Sequence, residues 1–397
     1  MANRPRLALV TPWPPEQSGI ADYAELLSAP LSRIVDVDVI TAGPPVEYTP
    51  PRADGVRLRG ACEPGLGESL SAYDRVVYCL GNSRFHLHAL ELLRRHPGVV
   101  HFHDVQLTGL YFCLAAATSP ERPHAALIER IEQTYAGELP DGAFEQGLPD
   151  WGQLAALGVL MTREIRARAE RSFVHSRYAL GMLDEDSGRL ARGPATVLPF
   201  AMPEVAGAGS QPVDVGSDPL ILHLGVVNPI KGIASLIDAF ALVAERRPRA
   251  QLVIAGPIDD GDRQHWEAYA SEQAPGARIE ITGHIERERY SRLLGQAAVA
   301  VQLRSVATGE ASGAIADCLA AGLPMIVSDL GWAGELPADA VVRVPVGADA
   351  VLIAERVEGL LGDRESRAKL AAAARGHATA SSFERVADAY LEALELR

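Results

Sequence analysis

An acidic stretch, GEASGAIADCLAAGLP at residues 309–324, carries the residues best suited to chemistry. Ser312 is a typical N-cap residue, so we expect a helix to begin near it, with Glu310 in the loop before and Asp317 inside the helix. The first amides of such a helix, including that of Gly313, can bind a diphosphate. A carboxylate at this end can accept hydrogen bonds from ribose or sugar hydroxyls. The alternative is a capped helix whose acidic residues only complement the helix dipole.

Lys231 is a second candidate, in the stretch LILHLGVVNPIKGIA at residues 220–234. We expect a strand that runs into Gly225, then a tight turn, and then a helix directly after Lys231. A lysine before a helix N-terminus can reach a phosphate as a point charge. Lys369 is the only other lysine among 37 basic residues, which makes Lys231 more informative than usual. The structural alternative is an exposed loop lysine.

Two strand ends in the first half of the chain are also candidates. In TPWPPEQSGIADYAELL, Ser18 and Gly19 join a strand to a helix and allow the backbone to approach a ligand closely. In HFHDVQLTG, the pair His103 and Asp104 ends another strand. The carboxyl ends of parallel strands open on the crevice in which open α/β sheets bind ligands. As alternatives, Ser-Gly turns are common without a ligand, and local backbone groups could satisfy the histidine.

The elements that would position these residues alternate along the chain. Short runs rich in Val, Ile and Leu alternate with helical patterns, which is typical of buried parallel strands in doubly wound α/β folds. The runs are Leu7–Thr11, Val35–Ile40, Arg75–Leu80, Val99–Phe102, Ser172–Val174, Thr196–Leu198, Leu220–Leu224, Gln251–Ala255, Ile279–Thr282, Val299–Leu303, Pro324–Ser328 and Val341–Val344. A polar stretch rich in Gly and Pro divides them into two series. We predict two Rossmann-like domains, residues 1–205 and 206–382, and a final helix over 383–397 that could pack back on the first domain.

Composition and charge restrict the class of protein. The 397 residues are 48% hydrophobic and 22% charged, which indicates a globular chain of two domains. The net charge of −14 argues against nucleic acid as a partner, because phosphate binding needs clustered cations. The sequence has no run near the roughly 18 apolar residues of a membrane-spanning helix, and its first residues do not resemble a signal peptide.

The spacing of the cysteines indicates the redox compartment of the protein. The four cysteines, Cys62, Cys79, Cys113 and Cys318, show no paired spacing. They indicate free thiols in a cytoplasmic protein, and their spacing predicts no metal site built on cysteine.

Four arginines between residues 163 and 171 predict a helix with a solvated basic face. Peripheral contact with the inner face of a membrane is the alternative interpretation of that face.

With these motifs the chain resembles the retaining glycosyltransferases of the GT-B fold, family four, which transfer a sugar from a nucleotide diphosphate. That family has a Gly–Arg–x–x–x–x–Lys–Gly loop at the start of its C-terminal domain and two glutamates before Ala–x–Gly–x–Pro. Lys231-Gly232 and the run DCLAAGLP, which begins at Asp317, match this pattern. Further matches are LVIAGP at 252–257, the stretch 281–305, and HSRYA at 175–179.

The sequence departs from the family pattern at three positions. Val226 stands at the family's arginine position, so that phosphate contact is either missing or supplied elsewhere, with Arg304 as the candidate. Asp317 replaces the second glutamate. Counting back by the family's spacing leads to Gly309, so Glu310 is displaced by one position.

The resemblance implies a nucleotide-diphosphate sugar as substrate, no cofactor, and retention of anomeric configuration, with two domains that face each other across a cleft. The acceptor would be a hydroxyl of a glycan, a lipid-linked molecule or a small molecule. The implied donor-binding residues are Lys231, Arg304, Gly225, Ser312, Gly313 and Asp317; the implied catalytic residues are His103 and Glu310; and Ser18, Gly19 and Asp104 would line the acceptor side. The cations and helix amides would replace a divalent metal at the diphosphate, and we identify no Asp-x-Asp pair or His/Asp cluster suited to one.

Two other functions stay open at this point. A sugar-nucleotide epimerase of the same fold would need clustered histidines and acidic residues for proton transfer. A nucleotide-sugar-binding protein with impaired catalysis would fit the missing arginine and the displaced glutamate.

Overall fold

The structure is a computed structural model that describes residues 4–43, 55–204, 215–216 and 218–397. The chain divides into two compact units. Unit 1 comprises Met1–Phe200, Thr308–Ala311 and Phe383–Arg397, and unit 2 comprises Ala201–Ala307 and Ser312–Ser382. The predicted boundary between residues 205 and 206 lies outside the described residues.

Unit 1 is built on a parallel sheet that has, in the described part of the chain, seven strands in the order β3-β2-β1-β4-β5-β6-β7. The strands are β1 (Arg6–Val10), β2 (Asp36–Thr41), β3 (Val56–Gly60), β4 (Arg75–Leu80), β5 (Gly98–Phe102), β6 (Ala169–Val174) and β7 (Ala195–Val197). Parallel neighbours require crossover connections, most of which are helical. The helices are α1 (Gly19–Ser32), α2 (Leu66–Leu70), α3 (Leu87–Arg95), α4 (Thr108–Thr118), α5 (Pro123–Thr134), α6 (Trp151–Ala156), α7 (Arg163–Arg166), α8 (Arg177–Ser187) and α16 (Phe383–Ala393).

Unit 2 repeats the architecture with six parallel strands among its described residues, in the order β10-β9-β8-β11-β12-β13. The strands are β8 (Leu220–Leu224), β9 (Gln251–Ala255), β10 (Arg278–Gly283), β11 (Val299–Gln302), β12 (Met325–Ser328) and β13 (Val342–Val344). The helices are α9 (Ile233–Arg246), α10 (Asp260–Gln273), α11 (Arg287–Gln296), α12 (Gly313–Ala321), α13 (Gly331–Gly334), α14 (Ala350–Gly362) and α15 (Arg364–Ala380). Short 3-10 helices occur at Arg84–His86, Gly188–Leu190 and Pro229–Lys231.

The twelve apolar runs predicted as strands are all confirmed. They form the buried layer of each unit, and every residue of β5, for example, is buried. Strand β3 was not predicted. Its sequence VRLRG alternates apolar residues with arginines, and it lies at the edge of the sheet, where a strand is not buried on both faces.

The final helix covers one face of the unit 1 sheet. Phe383, its first residue, packs on Tyr23 of α1, with ring centroids 5.2 Å apart. Further along, the fully buried Tyr390 packs on Phe173 of β6 and His101 of β5, at 5.3 and 5.5 Å. Aromatic side chains of α1 and α16 therefore enclose a histidine that lies on the sheet.

The arginine run does not form the predicted solvated basic helix, and that interpretation is wrong. Only Arg163 and Arg166 belong to α7, while Arg171 lies in β6. Arg166 is buried at 2% exposure and donates to Ser172 Oγ at 2.8 Å. The guanidinium of Arg163 donates hydrogen bonds to the carboxylates of Asp186 and Glu138. The guanidinium of Arg171 pairs with Glu395. These arginines tie elements of unit 1 together.

All four cysteines are free, as the sequence predicted. Cys62 is exposed, whereas Cys79 and Cys318 are buried. Among the described residues, no helix combines the length and the apolar character needed to span a bilayer.

Candidate active site

In unit 2 the candidate residues collect at the carboxyl ends of two neighbouring strands. Gly225 directly follows β8, and Arg304 follows the paired strand β11 after one intervening residue. A Cβ atom built at Gly225 would lie 3.7 Å from Ala314 Cβ, which places this turn beside the first turn of α12. The end of the sheet and the start of α12 therefore meet where open α/β sheets bind ligands.

Lys231 and Arg304 lie on adjacent loops at this end. The amide of Ser305 donates to Ile230 O at 2.9 Å, which joins the loop of Arg304 to the 3-10 helix that contains Lys231. Burial, together with the positive charges of Lys231 and Arg304, lowers the pKa of His223 in β8 to about 4. Two cations thus act on the same neutral, buried imidazole, and their combined field favours an anion at this end of the sheet.

Helix α12 begins where the sequence predicted. Ser312 is its N-cap, and the serine hydroxyl oxygen accepts a hydrogen bond from the amide of Ile315 at 3.4 Å. Gly313, the first helical residue, is exposed. The first amides of a helix have no partner within the helix, and the dipole adds partial positive charge there. This N-terminus is therefore suited to a phosphate group.

Asp317 lies inside α12 and is half-buried. Tyr290 of α11 donates to its Oδ2 atom at 2.6 Å. Burial and the nearby Asp317 carboxylate raise the pKa of Tyr290 well above its usual range, so the phenol keeps its proton and remains a donor. The contact orients the carboxylate. Sequence reasoning missed Tyr290 because a whole strand separates α11 from α12.

In unit 1 the start of α1 lies near Asp104. Ser18 is the N-cap of α1, and its Oγ atom accepts from the amide of Ile20 at 3.3 Å. Gly19 is exposed, and a Cβ atom there would have open space around it. Ile20 and the Asp104 carboxylate both lie close to Gly81. A Cβ atom built at Gly81 would collide with Ile20 Cδ1 and would lie 3.1 Å from Asp104 Oδ2. The absence of a side chain at Gly81 allows these two segments to approach each other.

Asp104 connects the loops that follow β4 and β5. Its Oδ2 atom accepts a hydrogen bond from the amide of Asn82 at 2.9 Å. The side-chain oxygen of Asn82 in turn accepts from the amide of Leu110 in α4 at 3.1 Å. These bonds give both side chains a structural role at the end of the sheet.

His103 directly follows β5, and its amide donates to Leu80 O at 2.8 Å. Its side chain is 7% exposed, with Nδ1 3.4 Å from His175 Nε2 and the ring 5.1 Å from that of Tyr23. Burial, and after it the neighbouring imidazoles of His101 and His175, hold the pKa of His103 well below its usual range. The imidazole is therefore neutral, with one ring nitrogen that donates a hydrogen bond and one that accepts.

Glu310 belongs to unit 1, the unit of His103. Its Oε2 atom accepts hydrogen bonds from the amide of Thr308 at 2.7 Å and from Thr308 Oγ1 at 2.5 Å. The carbonyl oxygen of Thr308 accepts from the amides of Val105 and Gln106, both at 2.9 Å. The loop that orients the Glu310 carboxylate is therefore anchored on the loop that follows His103.

Gly309 stands where the family pattern has a glutamate, at a position that does not admit a side chain. Its φ is +82°, a backbone conformation that residues other than glycine rarely adopt. A Cβ atom at this position would lie 2.6 Å from Val105 Cβ. A glutamate at this position would collide with the loop that Thr308 holds. In this chain the carboxylate can occupy the next position, at Glu310, without that collision.

Comparison with known proteins agrees with this architecture. The family model described as "Glycosyl transferases group 1" matches residues 211–377. No curated protein sequence matches the chain. Among solved structures, sucrose-phosphate synthase from Thermosynechococcus elongatus is 18% identical, covers 98% of each chain and has a TM-score of 0.66. Anabaena HepE in complex with UDP and glucose is 14% identical, with a TM-score of 0.67 over 98% of this chain and 99% of that one.

A third similar structure is WaaG, a glycosyltransferase involved in lipopolysaccharide biosynthesis, at 15% identity, with a TM-score of 0.60 over 98% of this chain and 99% of that one. The two parallel-sheet units therefore have the GT-B fold. The resemblance to the group 1 glycosyltransferases is confirmed, with the family pattern carried by residues 211–377.

Proposed function

We propose that this protein is a retaining glycosyltransferase that moves a sugar from a nucleotide-diphosphate sugar to a hydroxyl acceptor. The observation that carries the proposal is the end of the unit 2 sheet. There Lys231, Arg304 and the capped N-terminus of α12 offer positive potential, and Asp317 adds an oriented carboxylate. A diphosphate with an attached ribose is the ligand that this combination of groups fits.

Each group has a role in this proposal. Lys231, Arg304 and the amides near Gly313 stabilise the negative charge that develops on the diphosphate when the sugar leaves. Because these groups supply positive charge, the reaction needs no divalent metal at the diphosphate. Asp317 accepts hydrogen bonds from the ribose hydroxyls. In unit 1, Glu310 and His103 contact the transferred sugar, and the region of Ser18, Gly19 and Asp104 binds the acceptor.

The decisive experiment is a donor hydrolysis and transfer assay with a panel of nucleotide sugars. UDP-sugars come first, because HepE is described in complex with UDP and glucose. Release of nucleoside diphosphate with retained configuration at the sugar would support the proposal. An enzyme that interconverts sugar nucleotides without release would instead be an epimerase. We place the activity in the cytoplasm, which the four free cysteines support.

One observation favours a second candidate, a nucleotide-sugar-binding protein with impaired catalysis. Val226 occupies the family's arginine position and is 54% exposed. Its side chain is apolar, so it offers no charge to a phosphate. In that case the protein would bind a nucleoside diphosphate tightly but release none from any sugar donor. A Val226→Arg variant with strongly increased turnover would support this candidate.

Replacing His103 by alanine is expected to reduce turnover more than donor affinity. The imidazole lies in unit 1, whereas the proposed nucleotide contacts lie in unit 2. Loss of one positioned hydrogen-bonding group in a transition state costs roughly 10²–10³-fold in rate. Steady-state kinetics with nucleotide-sugar titration would measure both effects. His88→Ala, which removes another buried histidine of unit 1, is the control for general destabilisation. Equal losses in the two variants would contradict a role at the sugar.

A Thr308→Val variant tests how Glu310 is positioned. The variant keeps the shape and the amide donor of Thr308 but removes the hydroxyl that donates to Oε2. A hydrogen bond to a charged group is worth about 1.5–3 kcal/mol, so we expect kcat to fall roughly tenfold or more with the donor KM nearly unchanged. Thr308→Ser should restore kcat. A serine variant as slow as the valine variant would show that the hydroxyl is not what matters.

A further inference from the structure

Three imidazoles and one thiol collect on a single face of the unit 1 sheet. Cys79 of β4 and His101 of β5 are paired in register, so their side chains point to the same face. His103 follows His101 by two positions and shares that face, and the ring of His175, after β6, lies 4.6 Å from that of His101. The four side chains come from three separate strand ends, which spacing along the chain does not reveal.

Two of the nitrogen–nitrogen distances in this cluster are close to those around a tetrahedral metal ion. His175 Nε2 lies 3.1 Å from His101 Nε2 and 3.4 Å from His103 Nδ1. Cys79, His101 and His103 each offer a ligand atom, and these three atoms lie within 4.8 Å of one another. With metal–nitrogen distances of 2.0–2.1 Å, the nitrogens of a tetrahedral site are about 3.3 Å apart. His175 is not part of that group of three, so a small movement of its side chain is needed to complete a four-ligand set.

The three imidazoles cannot all hydrogen-bond to one another at full strength. His175 Nδ1 lies 3.4 Å from Leu198 O, to which it can donate, so His175 Nε2 carries the ring's single lone pair. Both His101 and His103 converge on that atom, and one lone pair accepts only one good hydrogen bond.

The surroundings resemble the outer shell of a metal site. All four side chains are less than 10% exposed. The hydroxyl of Tyr390 lies 3.4 Å from His101 Nδ1, and Leu198 O faces His175 Nδ1, so the outward nitrogens of two imidazoles have partners. Such outer partners orient ligating histidines. The ring of Tyr23 lies 5.1 Å from that of His103, and Phe383 in turn packs on Tyr23.

We propose that Cys79, His101 and His103, with His175 as the fourth ligand, bind a divalent transition-metal ion of the zinc type. One thiolate and three imidazoles form a nitrogen and sulfur ligand set, which suits Zn²⁺ and Co²⁺, whereas Mg²⁺ and Ca²⁺ prefer oxygen. Binding displaces the thiol proton of Cys79 to solvent, so the ion is held by a thiolate.

Metal binding at this cluster would also regulate the protein. This consequence rests on the proposed function, in which His103 contacts the transferred sugar. An ion that holds His103 Nδ1 fixes the ring and withdraws electron density from it, so Zn²⁺ inhibits sugar transfer. The cluster belongs to unit 1, whereas the proposed diphosphate-binding groups belong to unit 2, and their proposed chemistry uses no metal.

The test is a titration of the full-length, reduced, metal-stripped protein with Co²⁺ as a spectroscopic probe. We expect one equivalent of Co²⁺ to produce a thiolate-to-cobalt charge-transfer band and the visible bands of a tetrahedral ion, and Zn²⁺ to abolish both. If saturating Co²⁺ produces no thiolate band in the native protein, the proposal is overturned.

Variants locate the site. Cys79→Ser should lose the charge-transfer band, whereas Cys318→Ser, which removes another fully buried thiol, should keep it. His101→Gln keeps the thiol and should weaken Co²⁺ binding by more than the roughly 10–100-fold that an outer-shell partner contributes. A band that survives in folded Cys79→Ser, or unchanged affinity in His101→Gln, would place the ion elsewhere and overturn the proposal.

Metal binding and sugar transfer are measured separately. A protein that binds Co²⁺ at Cys79 but uses no nucleotide sugar would contradict the proposed function alone. A protein that transfers sugar but gives no thiolate band would contradict the metal site alone.

Discussion

A Glu310→Gln variant is expected to lose sugar transfer while it still binds the free nucleoside diphosphate. Glutamine keeps an oxygen that can accept from the amide and hydroxyl of Thr308, so the loop should keep its conformation. In the proposed function, the variant loses a negative charge beside the sugar, and the sugar carries positive charge in the transition state. Removing one preorganised electrostatic group typically costs roughly 10²–10³-fold in rate. Turnover assays together with calorimetric titration of nucleoside diphosphate would measure both quantities.

Two comparisons make this result specific. Glu121→Gln changes an exposed glutamate of the same unit and should leave turnover unchanged. Asp317→Asn should reduce sugar transfer less than Glu310→Gln does. It should erode the preference for a ribonucleotide over its 2′-deoxy analogue, because the asparagine side chain has no negative charge to strengthen the hydrogen bonds that it accepts. If Glu310→Gln loses nucleoside diphosphate binding and Asp317→Asn keeps it, the two roles are reversed.

Lys231→Ala is expected to weaken donor binding or turnover by roughly tenfold to a hundredfold and to leave the fold intact. The ammonium group lies at the end of the unit 2 sheet with Arg304, and a charge-assisted contact to phosphate is worth about 1.5–3 kcal/mol. The side chain is half-buried and does not belong to the hydrophobic core, so thermal stability should change little. Donor titration and initial rates would show the effect. Because salt screens charges, the donor affinity of the native protein should fall at high salt.

The chain provides a matched control for this variant. Lys369 is the other lysine, and in the structure it pairs with Glu365 on α15, where its side chain is 75% exposed. Lys369→Ala removes the same charge from the same unit, and surface ion pairs contribute little to stability. Equal behaviour of the two variants would mean that Lys231 has no specific contact with the donor.

The fold could be predicted from the sequence because its signals are local. Buried parallel strands appear as continuous runs of Val, Ile and Leu, and a serine before a glycine-rich helix start marked the N-terminus of α12. The edge strand β3 lacked such a run. The arginines between residues 163 and 171 looked like a helix face because neither their burial nor their distant partners, such as Glu395, leave a local pattern.

The candidate site could be predicted only in part, for the same reason. Lys231, Glu310 and Asp317 carry charges in recognisable motifs. Their supporting residues do not: Tyr290 donates to Asp317 from another helix, and Val105 fixes the loop of Glu310 from about two hundred residues away. The cluster around His101 likewise depends on strand register and on the return of the last helix.

The order in which the chain enters unit 1 has a consequence during protein synthesis. A ribosome releases residues 1–200 first, but unit 1 also requires Thr308–Ala311 and the final segment from Phe383 onward. At about 5–20 residues per second, roughly 10–40 s pass between Phe200 and Phe383. Throughout that interval the sheet face that Tyr390 later buries lacks the cover that α16 provides. Until Phe383–Arg397 is synthesised, the nascent chain therefore leaves apolar side chains of β6 and the histidine of β5 without their packing partner on α16.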